Sequence, residues 1–207
     1  MQISLSDTGK RFNRDWIFRN FSYQFTSGGT YAITGANGSG KSTLLQVIAG
    51  AVVTSEGTVS YNSAGKPVEG DKAFRYLSIA APYQELIEEM TLTEFLTFHQ
   101  KFKPLLKGYS IGQIAETVKL DVSSEKQIRY YSSGMKQRAK LAQAFFSDTP
   151  VLLLDEPCTN LDQDGTTLYQ KLIEDLSPGR TVIVSSNDVA EYGFCKERIS
   201  MSDIKRR

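Results

Sequence analysis

A glycine-rich segment carries the residues in this chain that are best suited to chemistry. It spans residues 35–43 and fits the pattern G-x-x-x-x-G-K-[ST]. Its glycines allow successive backbone N–H groups to converge on phosphate oxygens, and the N-terminus of the helix behind it adds a favourable partial positive charge. We expect a nucleoside triphosphate to contact these residues of the loop: Gly35, Asn37, Gly38, Ser39, Gly40, Lys41, Ser42 and Thr43.

Two side chains of this loop have distinct expected roles. The Lys41 ammonium would reach the β- and γ-phosphates, and the Ser42 hydroxyl would ligate Mg²⁺. Residues 30–34 are typical of a short buried strand, and the apolar residues of 44–48 recur at helical spacing before Gly50. The sequence therefore predicts a strand, a phosphate-binding loop and a helix, in that order.

A pair of carboxylates follows an apolar run further along the chain. Residues 151–154 are one valine and three leucines, which is typical of a parallel strand covered on both faces, and Asp155 and Glu156 come directly after them. Such a strand delivers its acids to the sheet edge where phosphate binds in α/β proteins. We expect Asp155 to hold Mg²⁺ through water, and Glu156 to orient and activate an attacking water.

A second anion-binding segment precedes this strand, at residues 131–138. Ser132 and Ser133 come before Gly134 at the predicted start of a helix, where serine hydroxyls and free N–H groups can bind an anion. Taken alone, the segment is a capped helix. One phosphate-binding loop does not account for a second phosphate-seeking motif in the same chain, whereas two copies that face each other would.

The composition narrows the classes of function. Of the 207 residues, 40% are hydrophobic and 23% charged, and the net charge of +1 gives no reason to expect a nucleic acid partner. No apolar stretch approaches the ~18 residues that span a bilayer, and residues 1–5 lack the features of a signal peptide. Cys158 and Cys195 form neither a metal-binding spacing nor a disulfide framework, which is typical of a reducing cytoplasm.

Alternating apolar residues predict antiparallel strands at the start of the chain. Residues 3–5 show this alternation and residues 21–25 repeat it, with residues 10–16 between them predicted as an exposed loop. Further along we expect a strand at residues 57–61, a turn-rich stretch at 62–67 and a strand at 74–80.

The pattern then becomes helical, from residue 82 to about residue 132. Thr91 or Thr93 is expected to cap a helix that stops before Pro104 and has these residues on one face: Leu92, Phe95, Leu96, His99 and Phe102. His99 is the only histidine, and its place on an apolar stripe favours a half-buried structural role over catalysis or metal binding. The remaining predictions are helices near residues 111–120, 135–146 and 163–176, and buried strands at 151–155 and 181–185.

The order of the motifs resembles that of the nucleotide-binding subunit of ATP-binding-cassette (ABC) transporters over essentially the whole chain. Residues 35–43 are similar to the family's Walker A motif, and residues 151–156 to Walker B with its catalytic glutamate. Gln84 stands at the place of the Q-loop glutamine, residues 132–135 at that of the L-S-G-G-Q signature, and Asp162 in that of the D-loop. Phe12 stands at the place of the aromatic that stacks on adenine, and Trp16 is near enough to compete.

This resemblance implies an architecture. The fold class would be α/β, a P-loop NTPase of the ABC-ATPase type, with a mixed central sheet, an antiparallel β subdomain and an inserted helical subdomain. Residues 1–207 would form a single ATP-binding domain, with the helical subdomain at roughly residues 84–132 inserted in the α/β core.

The resemblance also implies a function that uses ATP and Mg²⁺. Each ATP would lie between the phosphate-binding loop of one cassette and Ser132, Ser133 and Gly134 of a second cassette, as a homodimer or with a partner cassette. Gln84 would ligate the metal and link the helical subdomain to the γ-phosphate. The subunit would lie in the cytoplasm, held on the inner face of the cell membrane by a membrane-spanning transporter subunit, whose transport it would drive by ATP hydrolysis.

The chain departs from the family pattern at the signature and after the last buried strand. Ser133 replaces a signature glycine and Met135 the glutamine, so we expect the ATP contact to survive with altered strength. Asn187 stands where the family usually has its switch histidine, and an asparagine can donate a hydrogen bond to the γ-phosphate but cannot carry a proton. Because Glu156 is intact, we expect hydrolysis to persist at a lower rate.

Two alternative functions are weighed against the transporter subunit. A soluble ABC-type ATPase acting on nucleic acid or the ribosome is disfavoured, since the chain has no heptad repeats and a single cassette. An inactive or weakly active cassette, which binds ATP and dimerises with little turnover, is supported by Asn187 and opposed by Glu156.

Overall fold

The computed structural model of the protein describes residues 1–121 and 125–205. Its strands form two separate sheets. In chain order the strands are β1 Gln2–Phe12, β2 Asp15–Phe25, β3 Thr30–Thr34, β4 Glu56–Ser63, β5 Lys66–Val68, β6 Leu77–Ala80, β7 Val151–Asp155, β8 Thr181–Ser185 and β9 Glu197–Ser200. The first sheet has the order β2-β1-β4-β5, and its strand pairs are antiparallel.

The second sheet positions the candidate site. Its strand order is β6-β7-β8-β3-β9, and each neighbouring pair is parallel. Strand β8 lies between β7 and β3, so Asp155 pairs with Ser185, which in turn pairs with Ile33. The carboxyl ends of β3 and β7 therefore meet at one sheet edge, about 10 Å apart across the intervening strand.

The helices cover both faces of this sheet. In chain order they are α1 Lys41–Ile48, α2 Leu92–His99, α3 Ile111–Thr117, α4 Ser133–Phe145, α5 Gln163–Leu176, α6 Val189–Tyr192 and α7 Met201–Lys205. The helices α2 and α3 form the block between β6 and α4, and each begins with a capping box, at Thr91 and Ser110 respectively. Among the described residues, no helix is long and apolar enough to cross a bilayer.

Two apolar cores are separated by the parallel sheet. Successive residues of β7 alternate between them, with Leu152 and Leu154 packed toward α4, α5 and the α2–α3 block, and Val151 and Leu153 packed toward α1 and the antiparallel sheet. All four side chains are fully buried. This two-sided coverage explains why the strand is apolar up to Asp155, its last residue.

The fold class predicted from the sequence is confirmed, and several elements agree residue by residue. The helix α5 and the strands β3, β7 and β8 have the predicted bounds. One detail differs: the central sheet was expected to be mixed, but its strand pairs are parallel because the antiparallel strands pair among themselves in the other sheet.

The other differences lie in polar or irregular stretches. Residues 10–16 were predicted as a loop, but β1 and β2 extend through them and leave a turn at Asn13 and Arg14. The turn-rich stretch at 62–67 contains the end of β4 and the start of β5. Residues 74–76 end a 3-10 helix, so β6 is shorter than expected, and Phe102 lies beyond α2 and is exposed.

Candidate nucleotide-binding site

The phosphate-binding loop connects β3 to α1 and depends on glycine backbone conformations. Gly35, Gly38 and Gly40 have φ values of 148°, 75° and 101°, in the region that side chains disfavour. Gly40 is the N-cap of α1, and a Cβ at this position would collide with Ile17 of β2. The loop therefore follows a path that only glycine permits at Gly40, with the N-terminus of α1 directly behind it.

Lys41 is buried at the start of α1, with 5% of its surface exposed. Its Nζ donates hydrogen bonds to the carbonyl oxygens of Gly35, at 2.9 Å, and Ala36, at 3.5 Å. A buried ammonium needs oxygen partners, and these two carbonyls belong to the loop itself. A phosphate oxygen held by the loop can take the place of either carbonyl.

Asp155 is buried at the end of β7, with 1% of its surface exposed. Burial raises the pKa of its carboxyl, and the nearby hydroxyls of Ser185 and Ser42 and the charge of Lys41 oppose this shift. These hydroxyls are close enough to affect the pKa, but they do not have the distance and angle of a hydrogen bond, and neither carboxylate oxygen has a hydrogen-bond partner among the described residues. The parallel sheet thus places an unpartnered buried carboxylate beside Ser42 and Lys41.

Glu156 occupies a strained backbone position directly after Asp155. Its φ is 43°, in the left-handed region that non-glycine residues rarely adopt, and its N–H donates to the carbonyl of Ser185 at 2.8 Å. Its own carbonyl accepts from the N–H of Thr159 at 3.1 Å, so the turn is held on both sides. Such strain is often found at functional sites, and the turn leaves the Glu156 side chain half-buried.

Asn187 joins the loop after β8 to the phosphate-binding loop. Its Oδ1 accepts from the N–H of Gly35 at 3.1 Å, and its Nδ2 donates to Oδ1 of Asn37 at 3.2 Å. The structure thus brings Asn187 to the phosphate-binding loop, with both the oxygen and the nitrogen of its amide hydrogen-bonded to loop residues.

Gln84 lies between β6 and α2, four residues after the end of β6, whose last residue, Ala80, pairs with Leu154 of β7. Its Nε2 donates to Oε1 of Gln143 on α4 at 3.0 Å, while its own Oε1 is buried without a hydrogen-bond partner. The preceding residue, Tyr83, is close enough to Asp155 for the charge of its carboxylate to affect the pKa of the Tyr83 hydroxyl. Burial, together with the charge of Asp155, raises the pKa of Tyr83 to about 12.

Unpartnered buried oxygens are concentrated in this region. In the described part of the chain, five of the seven buried side-chain nitrogen and oxygen atoms that lack a partner belong to Ser39, Gln84, Asp155 and Ser185. Burying a polar atom without a partner costs free energy, so such a concentration indicates a binding site for a ligand. The donors are hydroxyl, amide and carboxylate oxygens, which suit a hard divalent cation and the phosphates that accompany it.

The serine-rich segment begins α4. Ser132 is its N-cap and accepts a hydrogen bond from the N–H of Met135 at 3.2 Å. A Cβ on Gly134 would lie 3.0 Å from the carbonyl oxygen of Asn160, so the loop before α5 packs closely on the start of α4. Both Ser132 and Ser133 are exposed.

Asp162 lies beside this segment. Its Oδ1 accepts from the N–H of Gly165 at 2.8 Å as the N-cap of α5, and Arg138 of α4 lies 3.4 Å from the same oxygen. In the described part of the chain, no hydrogen bond or ion pair joins residues 132–135 to the phosphate-binding loop. Within one chain, the structure therefore forms two separate surfaces.

Comparison with known proteins decides between the families that use a phosphate-binding loop. The family model described as "ABC transporter" matches residues 18–159, well over half of the chain. The chain belongs to the ABC transporter family. Within it, the chain is an ATP-binding subunit, as predicted from the order of its motifs.

Two relatives and one solved structure show how far the similarity of this ABC cassette extends. The cytochrome c biogenesis ATP-binding export protein CcmA of Agrobacterium fabrum is 31% identical over 90% of this chain and 89% of its own. The ABC transporter ATP-binding protein YybJ of Bacillus subtilis is 28% identical over 89% of this chain and 85% of its own. The fold is similar to the dimeric ATP-binding cassette MJ0796 bound to ADP and Pi, with a TM-score of 0.79, 22% identity and coverage of 96% and 93% of the two chains.

These findings confirm the predictions of an ABC transporter subunit that binds and hydrolyses ATP. ATP binding and hydrolysis are the activities of the family, and the α/β architecture is that of its cassettes.

The two candidate adenine-stacking aromatics of the cassette differ in their surroundings. The Phe12 side chain is 48% exposed, with Lys10 Nζ at 4.9 Å from its ring centroid. Trp16 is half-buried, and the guanidinium carbons of Arg11 and Arg19 lie 5.5 and 4.6 Å from its ring. Phe12 therefore keeps the more accessible ring.

His99 is part of the core of the helical block. It is 8% exposed, so it is buried rather than half-buried, and burial lowers its pKa to about 4 with a smaller effect from Lys103. Its ring nitrogens contact Ser147 and Gln143, and the structural role of His99 remains a prediction.

The sequence reasoning missed the polar contacts between α4 and the Gln84 segment. Lys140 Nζ donates to the carbonyl oxygens of Ala81, at 3.1 Å, and Pro82, at 2.9 Å, and Lys136 forms an ion pair with Glu88. Together with Gln143, these residues recur at helical spacing along one face of α4. That spacing was visible in the sequence, but the partner segment was not.

Proposed function

We propose that this cassette binds ATP with Mg²⁺ between two facing copies, hydrolyses it, and drives transport by a separate membrane-spanning subunit. The observation that carries the proposal is the buried, unpartnered carboxylate of Asp155 beside Ser42 and Lys41, with Glu156 next in the chain. We propose further that residues 1–207 act as a single domain, with residues 84–132 as the helical subdomain.

The phosphate-binding loop holds the triphosphate in this proposal. The N-terminus of α1 and its N–H groups face the phosphates, and Lys41 moves its hydrogen bonds from the carbonyls of Gly35 and Ala36 to phosphate oxygens. Phe12 stacks on adenine, since its ring is exposed at the end of β1. The loop residues involved are the predicted ones: Gly35, Asn37, Gly38, Ser39, Gly40, Lys41, Ser42 and Thr43.

The proposed metal ligands are Ser42, Asp155 and Gln84. All three offer side-chain oxygens, and those of Asp155 and Gln84 are buried without partners. Bound Mg²⁺ would neutralise charge that develops on the phosphate oxygens during hydrolysis. The raised pKa of Asp155 falls when a cation binds beside it, because a positive charge favours the carboxylate.

Glu156 is the proposed general base. The oxygen of a water molecule attacks the γ-phosphorus while the bond between this phosphorus and the β–γ bridging oxygen breaks, and the electron pair leaves with ADP. The Glu156 carboxylate accepts a proton of the attacking water. Its strained backbone, tied to Ser185 and Thr159, fixes its place relative to Asp155.

Asn187 supports hydrolysis at a reduced rate. Its Nδ2 is the one side-chain group that could donate to a γ-phosphate oxygen, and one of its two N–H bonds is already directed to Asn37. An asparagine also lacks the positive charge that a protonated histidine would bring to the transferred phosphoryl group. We therefore propose that the reaction proceeds but that its rate is limited at this position.

The second nucleotide surface is proposed to be residues 132–134 of a facing cassette, bordered by Asp162. Ser132 and Ser133 are exposed at the start of α4, where hydroxyl and N–H groups can bind an anion. The relationship to the dimeric cassette MJ0796 supports this arrangement. A homodimer supplies two such surfaces, one for each phosphate-binding loop.

The transport partner is proposed to be a separate membrane subunit that holds the cassette on the cytoplasmic face of the membrane. The support comes from relatives, among them CcmA and the Nod factor export ATP-binding protein I of Burkholderia lata, which is 28% identical over 99% of this chain and 69% of its own. ATP bridges the two cassettes and hydrolysis removes the bridge. The pair of cassettes would therefore close and open in each cycle, and this movement would be transmitted to the membrane subunit.

A Glu156→Gln variant tests the proposed hydrolysis. Phosphate release from ATP in the presence of Mg²⁺ should fall by at least about 100-fold, because amide cannot accept the proton of the attacking water. Binding of ATP should be retained, and Glu174→Gln, an exposed change on α5, should leave the rate unchanged. Phosphate release at the parental rate from the Glu156 variant would show that another residue activates the water.

A further inference from the structure

A continuous chain of hydrogen bonds runs from Gln84 into the helical block. Gln84 Nε2 donates to Gln143 Oε1 at 3.0 Å, and Gln143 Nε2 lies 3.2 Å from His99 Nδ1. His99 Nε2 lies 2.8 Å from Ser147 Oγ, and the Ser147 hydroxyl donates to the main-chain carbonyl oxygen of Gln143 at 2.6 Å. We call these four residues, Gln84, Gln143, His99 and Ser147, the amide relay.

The direction of each hydrogen bond in the amide relay is determined by its neighbours. The Ser147 hydroxyl has one proton, which it donates to the main-chain carbonyl oxygen of Gln143. His99 Nε2–H must therefore be the donor to Ser147 Oγ. A neutral imidazole has one N–H, so Nδ1 of His99 is an acceptor and takes a hydrogen bond from Nε2 of Gln143. The amide oxygen of Gln143 is then the atom that faces Gln84.

This direction fixes the side-chain amide of Gln84. Its Nε2 must face Oε1 of Gln143, since the opposite orientation would place two oxygens against each other. Its Oε1 is thereby left as a buried oxygen without a partner. The amide relay thus selects which atom of Gln84 is left without a protein partner, and the selected atom is an oxygen, which can bind a cation.

The backbone around Gln84 is held by the same helix. Lys140 donates to the carbonyl oxygens of Ala81 and Pro82, and Lys136 pairs with Glu88, so α4 contacts the segment on both sides of Gln84. The position of the backbone around Gln84 is therefore already restrained by α4. The amide relay additionally fixes the orientation of the Gln84 side-chain amide.

We propose that Gln143 and His99 are positioning residues that keep Oε1 of Gln84 available to the Mg²⁺ that accompanies ATP. The inference rests on the proposed role of Gln84 as a metal ligand. Neither Gln143 nor His99 contacts the metal in this proposal. Groups that orient a ligand without touching the metal typically change metal affinity by about 10–100-fold when they are removed.

The test compares ATP binding with and without Mg²⁺ in the full-length protein. Binding of a fluorescent ATP analogue is titrated in EDTA and then over a series of Mg²⁺ concentrations, for Gln84→Ala, Gln143→Leu and His99→Phe. We expect each variant to need about tenfold more Mg²⁺ for half of the effect of the metal on affinity. Affinity in EDTA should stay within about twofold of the parent, which general damage to the fold would not allow.

The control is Gln100→Leu, an exposed glutamine that follows His99 in the chain and lies outside the amide relay. It should leave both affinities unchanged. Gln143→Leu is replaced if its thermal unfolding shows that it does not fold. His99→Phe then removes the hydrogen bond between His99 and Gln143, and Ser147→Ala removes the one between Ser147 and His99. The Ser147 variant removes only a hydroxyl, and it should shift the Mg²⁺ requirement in the same direction.

The double variant Gln84→Ala/Gln143→Leu separates the hypothesis that Gln84 is a metal ligand from the hypothesis that the amide relay positions it. If the amide relay acts through Gln84, the double variant should need no more Mg²⁺ than Gln84→Ala alone. Additive losses, or a Gln143→Leu variant that behaves like the parent while Gln84→Ala is impaired, would overturn the amide relay and leave the role of Gln84 intact. A normal Mg²⁺ response of Gln84→Ala would refute the metal role of Gln84, and the amide relay with it.

Discussion

Asn187, in the loop after β8, donates a hydrogen bond from Nδ2 to Oδ1 of Asn37 in the phosphate-binding loop at 3.2 Å. Its Oδ1 accepts at the same time from the N–H of Gly35 at 3.1 Å. Only a side chain with a donor and an acceptor side by side can make both contacts in this geometry. The position therefore stabilises the loop before any phosphate arrives, and one of the two N–H donors of Nδ2 is already engaged.

Replacing Asn187 with histidine should raise the turnover number for ATP by roughly tenfold, the effect of one hydrogen bond to a charged oxygen. An imidazole can donate to the γ-phosphate and can carry positive charge, which asparagine cannot. The measurement is steady-state phosphate release at saturating ATP. Asn62→His, in β4 of the antiparallel sheet, is the matched control. An unchanged or lower turnover number would exclude position 187 as the limiting element.

Replacing Gly134 with alanine should impair the second nucleotide surface without unfolding the protein. The new Cβ would lie 3.0 Å from the carbonyl oxygen of Asn160, so the loop before α5 must move away from the start of α4. Alanine favours a helix over glycine by about 1 kcal/mol, so the helix itself should not be weakened. We expect ATP hydrolysis to fall while ATP binding by the monomer is retained.

Gly112→Ala is the matched control for this change. Gly112 is the second residue of α3 as Gly134 is of α4, but a Cβ there meets its nearest neighbour, Ser110 Oγ, at 3.9 Å, an ordinary contact. It should leave hydrolysis unchanged. A Gly134→Ala variant with parental hydrolysis would indicate that the close contact with Asn160 does not matter to the site.

Replacing Lys41 with alanine should weaken ATP binding by roughly 100-fold, because hydrogen bonds from a charged donor to phosphate are lost. The ammonium of Lys41 is buried and bound to loop carbonyls, so its loss also leaves these oxygens without their donor. Isothermal titration calorimetry measures the affinity, with Lys66→Ala on β5, an exposed residue, as the control. Equal affinities for the Lys41 variant and the parent would refute the assignment of the loop.

The fold was predictable where the sequence pattern has a single structural solution. The strands β7 and β8 are buried on both faces, so their apolar runs left no other interpretation, and α5 has clear caps. The hairpin of β1 and β2 was missed at residues 10–16 because its charged residues suggested a loop. In the structure, Arg11 and Arg19 lie against the ring of Trp16, and Asn13 adopts a φ of 55° that allows the tight turn.

The site was predictable to the extent that its residues are neighbours in the chain. The loop residues, and the pair Asp155 and Glu156, could be located from local pattern alone. The contact between Gln84 and Gln143 could not, since it depends on how α4 packs against the segment after β6, and 59 residues separate the two glutamines. The same reason explains why the sequence could suggest Asn187 as a site residue but could not show its hydrogen bond to Asn37.

We propose that ATP joins two copies of this cassette and that hydrolysis separates them. Size-exclusion chromatography with light scattering of the Glu156→Gln variant, with and without ATP, tests it most directly, because this variant should bind ATP but not consume it. Asn37, Lys41 and Ser132 are unchanged in it, so both nucleotide surfaces are intact. We expect a monomer without nucleotide and a stable dimer with ATP, whereas a variant that binds ATP and stays monomeric would show that ATP does not join two cassettes.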